Sequence, residues 1–241
     1  MTGPLASCIQ TPMSKKYAVD KPKRVSVEIV SSALRFPVRR IFCVGQNYAD
    51  HVKEMGGDAS KPDPFFFCKP ADAVVANGAA IPYATETKDL QHEVELVIAI
   101  GSACSNIKRD EAFKHVFGYA VGCDLTRRDL QKKAKDERRP WDVSKGFDNS
   151  APISPITPYN EPFPGDAKIS LSVNNAKKQD ATIDQMIWPV PDIIAFASKF
   201  WALQPGDLIF TGTPSGVGPI KSGDAVTAHI DHLTDLTFSI K

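Results

Sequence analysis

Glu93 and Glu95 stand two residues apart within Leu90-Gln91-His92-Glu93-Val94-Glu95-Leu96-Val97-Ile98-Ala99-Ile100-Gly101, an otherwise apolar, β-branched run. In a strand, the period of two sends both carboxylates to one face and Val94, Leu96 and Ile98 to the other. Burying two like charges side by side is costly, because each loses hydration and repels its neighbour. A divalent cation removes most of that cost, so the pair reads as two ligands of a hard-metal site that needs a third oxygen. The competing reading is a half-exposed strand with two solvated glutamates.

Asp124 supplies the third oxygen. It is the only carboxylate in the apolar run Val116 to Leu125 and stands at its end, where a buried framework opens. It is also placed to cap the helix that follows. Three oxygens from Glu93, Glu95 and Asp124 suit Mg²⁺ or Mn²⁺ better than zinc, which prefers nitrogen and sulfur. His92 alternates away from the glutamates and reads as packing or as support behind the ligands. Arg128 and Gln131, three apart on a predicted helix, share a face one turn beyond Asp124. With Lys145 in Ser144-Lys145-Gly146-Phe147-Asp148, they offer cationic and amide donors to a carboxylated substrate whose oxygens gain charge. Arg127, Lys132, Lys133, Lys135 and Arg138 read as an ordinary solvated helix face.

His51 and Glu54 lie three apart in Tyr48-Ala49-Asp50-His51-Val52-Lys53-Glu54-Met55. On a short helix the carboxylate holds the imidazole, fixes its tautomer and raises its basicity, so that it can deprotonate water. An exposed pair of no consequence has the same spacing. Its place after a strand-glycine stop and before Gly56-Gly57 is how a lid would be hinged. Thr211-Gly212-Thr213-Pro214-Ser215-Gly216-Val217-Gly218-Pro219 is a glycine-rich turn after a strand. It matches no nucleotide-binding motif. Its amides and the Thr213 hydroxyl suit a substrate carboxylate; a purely structural turn is the alternative for the glycines.

The elements that must position these groups are short. Strands are expected at Ile41 to Gly45, Phe65 to Cys68, Val74-Val75, around the glutamates, Val116 to Leu125, Leu208 to Thr211, Ala225 to Ile230 and Leu236 to Ile240. Lys168 to Val173 begins a hairpin that turns at Asn174-Asn175. Helices are expected at Tyr48 to Met55, as one turn at Asp110 to Lys114, from about Arg127 to Glu137, and at Pro191 to Leu203. Without regular βα alternation or repeats, these make a β-rich mixed α/β fold. Residues 1–38, rich in proline and lysine, read as an N-terminal arm, and 39–241 as one domain.

Lys and Arg number 29 against 28 Asp and Glu in 241 residues, so no basic excess recommends nucleic acid or an anionic membrane as partner. The five cysteines are scattered without a Cys-x-x-Cys pair, which suggests neither a disulfide framework nor a zinc ribbon. With no long apolar run, the expectation is a soluble cytoplasmic protein.

Taken in order, Val44-Gly45-Gln46-Asn47-Tyr48 with His51 and Glu54, Glu93-x-Glu95-Leu96, Gly122-Cys123-Asp124-Leu125-Thr126 with Arg128-Asp129-x-Gln131, Lys145-Gly146-Phe147-Asp148 and Thr211-Gly212-Thr213-Pro214 resemble the fumarylacetoacetate hydrolase family over about residues 39–241. The likeness is to its small acylpyruvate and fumarylpyruvate hydrolases. The resemblance implies a β-roll of mixed sheets, a homodimer, and Mg²⁺ or Mn²⁺ on Glu93, Glu95 and Asp124. It implies a lid dyad at His51 and Glu54, substrate or oxyanion contacts at Arg128, Gln131 and Lys145, and a substrate contact at Thr213. The activity it implies is hydrolysis of the carbon–carbon bond of a 2,4-dioxo acid, fumarylpyruvate to fumarate and pyruvate in gentisate-type aromatic catabolism. Decarboxylation of oxaloacetate, or isomerisation or hydration of a related oxo acid, are the alternatives.

Overall fold

The computed structural model describes residues 17–56 and 63–241. Its largest sheet runs in the order Phe65–Lys69, Arg40–Gly45, Asp207–Phe210, Val94–Ile100, Val116–Cys123, Ala151–Ile153, Val74–Ala76, with Thr157–Pro158 added along Val116–Cys123. A second sheet runs Ala176–Thr182, Lys168–Val173, Ala225–Ile230, Leu236–Ile240, Ala80–Ile81. Most pairs are antiparallel, but Asp207–Phe210 lies parallel to Arg40–Gly45, Ala151–Ile153 to Val74–Ala76, and Leu236–Ile240 to Ala80–Ile81. The fold is therefore mixed and β-rich, with curled sheets and few helices.

Every residue of Val94–Ile100 is buried. Val94, Leu96, Ile98 and Ile100 face one core, shared with Ile169, Leu171, Val226 and Phe238 of the second sheet and Ile193, Ile194 and Ala197 of the Val190–Phe200 helix. Val97 and Ala99 face a second core with Ile41, Cys43, Leu208 and Phe210. A strand covered on both faces has no solvated side, which excludes the half-exposed reading of the glutamates. Of the expected arm, residues 1–16 lie outside the described residues. Ser26–Glu28 pairs antiparallel with Arg35–Pro37, and Val27, Phe36 and Val38 close the second core.

The element bounds follow local chemistry. Asn174 and Asn175 turn the hairpin with φ of 50° and 64°, in the left-handed region that asparagine tolerates. The helix beyond Asp124 spans Arg128–Asp136 with Arg127 at its N-cap and no side-chain cap. Asp124 is thus not spent on capping. The turn expected at Asp110 is a 3-10 helix, Arg109–His115, entered at Lys108 instead. Lys145, expected on a loop, closes the short helix Asp142–Lys145, which packs its stem inward.

Candidate active site

Glu93 sits at the one-residue step between the strands Leu90–His92 and Val94–Ile100. The Asp124 N–H donates to the Glu93 carbonyl at 2.8 Å, tying the end of Val116–Cys123 to that step. The adjoining strands thereby converge their acidic side chains: Glu93, Glu95 and Asp124 are 5%, 1% and 0% exposed. One carboxylate oxygen from each lies within 4.8 Å of the others.

Three buried carboxylates need positive charge. Lys145 Nζ donates to Glu93 Oε2 at 2.8 Å and to Asp124 Oδ2 at 2.7 Å. Lys69, fully buried, places Nζ 2.7 Å from Asp124 Oδ1 and also donates to the carbonyls of Leu125 and Lys145. Arg128 donates through Nη2 to Glu93, through Nη1 to Gln131 Oε1, and through Nε to Gln91 Oε1 at 2.8 Å. Among the described residues Glu95 has no cation bonded to it; its partner is the Gly212 N–H at 2.7 Å. Burial raises the pKa of Glu93, but Lys145 and Arg128 outweigh it and hold the carboxyl below the usual range. Burial pushes Glu95 well above that range, and Asp124 and Glu93 push it further. Lys69, Lys145 and Arg128 all sit on Glu93 and Asp124, which leaves Glu95 as the hard oxygen donor without a cation, at a position where a divalent cation satisfies all three. The residues fit Mg²⁺ or Mn²⁺ and supply none of the nitrogen or sulfur that zinc prefers.

The loop Thr211–Pro214 is fastened from three sides. Thr211 N–H and Oγ1 both donate to the Leu96 carbonyl, at 3.0 and 2.9 Å. Asn47, fully buried, donates to the Thr211 carbonyl at 2.7 Å. Gly212 has φ of +96°, and a Cβ there would meet Asn47 Cβ at 2.7 Å, so the amide that reaches Glu95 requires glycine. Gln179 fixes Thr213. Its Oε1 accepts from the Val94 N–H at 3.1 Å, and its Nε2 donates to the Pro214 carbonyl at 2.8 Å. Those two backbone partners set the amide orientation. Gln179 Nε2 therefore donates to Thr213 Oγ1 at 2.8 Å, which leaves the Thr213 O–H as a donor toward the cleft. Gln179 Oε1 likewise makes His92 Nδ1, 3.0 Å away, a donor. His92 supports the ligand-bearing strands and does not line the cleft.

His51 and Glu54 lie on the helix Ala49–Glu54, where His51 is buried. His51 Nδ1 stands 3.2 Å from Glu54 Oε2, so the imidazole donates there and presents the lone pair of Nε2. The Gly216 N–H donates to Glu54 Oε1 at 3.1 Å, tethering the short helix to the glycine-rich turn. Burial lowers the basicity of His51, with Glu93 and Glu54 opposing, so the ring is neutral at neutral pH. Gly56 has φ of +71°, while Gly57 lies outside the described residues.

One cleft is lined by His51, Glu93, Glu95, Asp124, Arg128, Gln131, Lys145 and Thr213 together. Three contributors escape the sequence reading. Lys69 ends an apolar strand before a proline, and a lysine so placed must bury its ammonium; that signal was available. Gln179 is the one buried residue in the polar run Ala176–Asp180, and nothing local marks it. Lys135, read as solvated, lines the cleft instead, because it repeats the helical face of Arg128 and Gln131.

A buried three-carboxylate centre, ringed by cations and faced by a histidine–glutamate dyad in a mixed β-roll, is the arrangement of a hard-metal site. The family model described as fumarylacetoacetate (FAA) hydrolase C-terminal matches residues 40–241, and the chain belongs to that family. Its structure is similar to that of fumarylpyruvate hydrolase from Pseudomonas aeruginosa in complex with Mn²⁺ and pyruvate, with 45% identity and a TM-score of 0.91 over 93% of this chain and 99% of that one. It is 41% identical to the Escherichia coli oxaloacetate tautomerase YcgM, over 82% of this chain and 91% of that protein. It is 38% identical to fumarylpyruvate hydrolase of a Ralstonia species, over 76% of this chain and 95% of that protein. Among the described residues, no helix is long and apolar enough to cross a membrane.

Proposed function

We propose that the chain is a metal-dependent hydrolase that cleaves the carbon–carbon bond of a 2,4-dioxo acid, with fumarylpyruvate giving fumarate and pyruvate. The observation that carries this reading is His51, held by Glu54, in the same cleft as the triad, since attack by water on a carbonyl needs a general base beside the site. The likeness to the Pseudomonas enzyme supports the substrate. Glu93, Glu95 and Asp124 hold Mg²⁺ or Mn²⁺. When bound, the cation supplies a Lewis acid for the substrate carboxylate and its neighbouring oxo oxygen.

The protein's own groups then divide the work. His51 Nε2 takes a proton from water, and Glu54 steadies the imidazolium that forms. The hydroxide equivalent attacks the C4 carbonyl. Among the described residues Gln131 keeps its amide NH₂ for a ligand, because Arg128 occupies only its oxygen. Lys145 keeps one of three ammonium protons beyond those given to Glu93 and Asp124. These two donors face the developing oxyanion, a role worth on the order of 10²–10³ in rate per donor. The Thr213 O–H and the remaining N–H groups of Arg128 bind substrate carboxylate. Collapse breaks the C3–C4 bond, releases the acid, and leaves the pyruvate carbanion to be protonated at C3. A homodimer in the cytoplasm, acting in aromatic catabolism, completes the reading; light scattering after size exclusion tests the dimer.

The relationship to oxaloacetate tautomerases favours a second reading, isomerisation of a short oxo acid in the same cleft; decarboxylation of oxaloacetate stands beside it. Incubation with Mg²⁺ or Mn²⁺ and fumarylpyruvate, acetylpyruvate or oxaloacetate separates them, following enol absorbance, pyruvate and CO₂. Pyruvate from a dioxo acid supports hydrolysis. Enol–keto exchange of oxaloacetate without cleavage of either dioxo acid refutes it in favour of the isomerase, and CO₂ from oxaloacetate alone in favour of the lyase.

A further inference from the structure

The cations of the cleft do not all have partners. Lys69, Lys145 and Arg128 are each bonded to a carboxylate of the triad. Lys135 is a fourth, seven residues beyond Arg128 on the same face of the Arg128–Asp136 helix, and it lines the same cleft. It is half-buried and pairs with no carboxylate among the described residues. Its neighbour Lys132, on the outer face, pairs with Asp136 at 2.6 Å. Lys135 Nζ instead rests over the Trp141 indole, 5.4 Å from the ring centroid, which orients the ammonium without neutralising it. Burial lowers its basicity, Arg128 and Lys145 add repulsion, and the charge of Glu93 offsets only part of it. A cation kept half-buried near other cations is a cost to the folded chain that an external anion removes.

The surroundings state what kind of anion. Trp141 and Phe67 form an aromatic wall, with Val44 and Met55 also lining the cleft. Such a wall suits a flat unsaturated carbon chain running from the acidic centre to Lys135. We propose that Lys135 binds the second, distal carboxylate of the substrate, so that the cleft selects dioxo acids ending in a carboxylate over those ending in an alkyl group. This specificity rests on the hydrolase reading for its substrate but not for its test.

Fumarate and crotonate differ by replacement of one carboxylate with a methyl group, and their binding needs no turnover. Calorimetry on the Mn²⁺-loaded protein is expected to show fumarate bound about tenfold or more tightly than crotonate, as for a partly desolvated charge pair. Lys135→Met, which keeps the apolar stem and the helix, is expected to remove the preference, and Lys135→Arg to restore most of it. In turnover, the ratio of kcat/KM for fumarylpyruvate to that for acetylpyruvate is expected to fall about tenfold in Lys135→Met. A preference that persists in Lys135→Met, or is absent from the native protein, overturns the proposal. If neither dioxo acid is cleaved but fumarate is still preferred through Lys135, the hydrolase reading falls and the anion site stands.

Discussion

Replacing Lys69 with methionine keeps the apolar stem of the side chain and removes its charge. The ammonium stands 2.7 Å from Asp124 Oδ1, where both side chains are 0% exposed. At an effective permittivity of about 20, the attraction at that distance is about 6 kcal/mol, much of it offset by desolvation of the two ions. Removing one partner of a buried pair typically costs about 3–5 kcal/mol. For a chain of 241 residues this corresponds to a loss on the order of 6–20 °C in Tm. The loss has two parts. The Leu125 carbonyl loses its lysine donor and the Lys145 carbonyl keeps only Ser150 Oγ, whatever else binds, whereas the excess charge on Asp124 is relieved when a divalent cation arrives. Thermal unfolding of native protein and Lys69→Met, each in chelator and in Mn²⁺, therefore gives a deficit that shrinks with metal but does not vanish. An equal deficit in both conditions refutes the electrostatic coupling to Asp124 and leaves only a packing role. No deficit in either refutes the buried pair.

Further outcomes follow from the same geometry. His51→Ala lowers hydrolysis by about 10²–10⁴-fold. Because His51 is not a ligand, calorimetric Mn²⁺ affinity stays near native; collapse of metal binding would show that dyad and metal site are not separate. The base works neutral, and burial lowers its pKa from 6.5, so activity is lost only as pH falls below that value. Glu54→Gln removes a contact that raises the His51 pKa, so the acid limb of the kcat/KM profile moves to lower pH; a shift upward contradicts the assigned contact. Gln179→Glu replaces the amide donor with an acceptor, turns the Thr213 O–H away from the cleft, and raises KM more than it lowers kcat; an unchanged KM would detach Thr213 from substrate binding. Chelator lowers Tm and Mn²⁺ restores it, by about 2.7 kcal/mol at a hundredfold excess over Kd; a metal-insensitive Tm would remove the cation from the site.

Much of the site is written locally. A period of two and a run of β-branched residues put Glu95 in a strand and Glu93 at the residue that joins it to the strand before, and a spacing of three puts His51 with Glu54 and Arg128 with Gln131. Short-range geometry fixes such pairs before any fold exists. The strands Ala225–Ile230 and Leu236–Ile240 and the Asn174-Asn175 turn are legible for the same reason. What sequence patterns do not encode is whether a face meets water or another sheet. Both sides of Val94–Ile100 are covered by strands distant along the chain, and that burial turns two ordinary glutamates into candidate ligands that need cations.

The residues that only the tertiary structure could supply are those acting across long separations. Lys69 reaches Asp124, and Gln179 spans 87 residues to His92 and 34 to Thr213. Lys135 shares its helix with Arg128, yet its identity as a cleft residue depends on Trp141 and Phe67 closing over that face. The sequence alone determined the acidic pair, its third oxygen and the dyad, since their types and spacings are local facts. The tertiary structure decided which cations neutralise them and which one is left without a partner, because charge compensation in a buried site is set by distance in space.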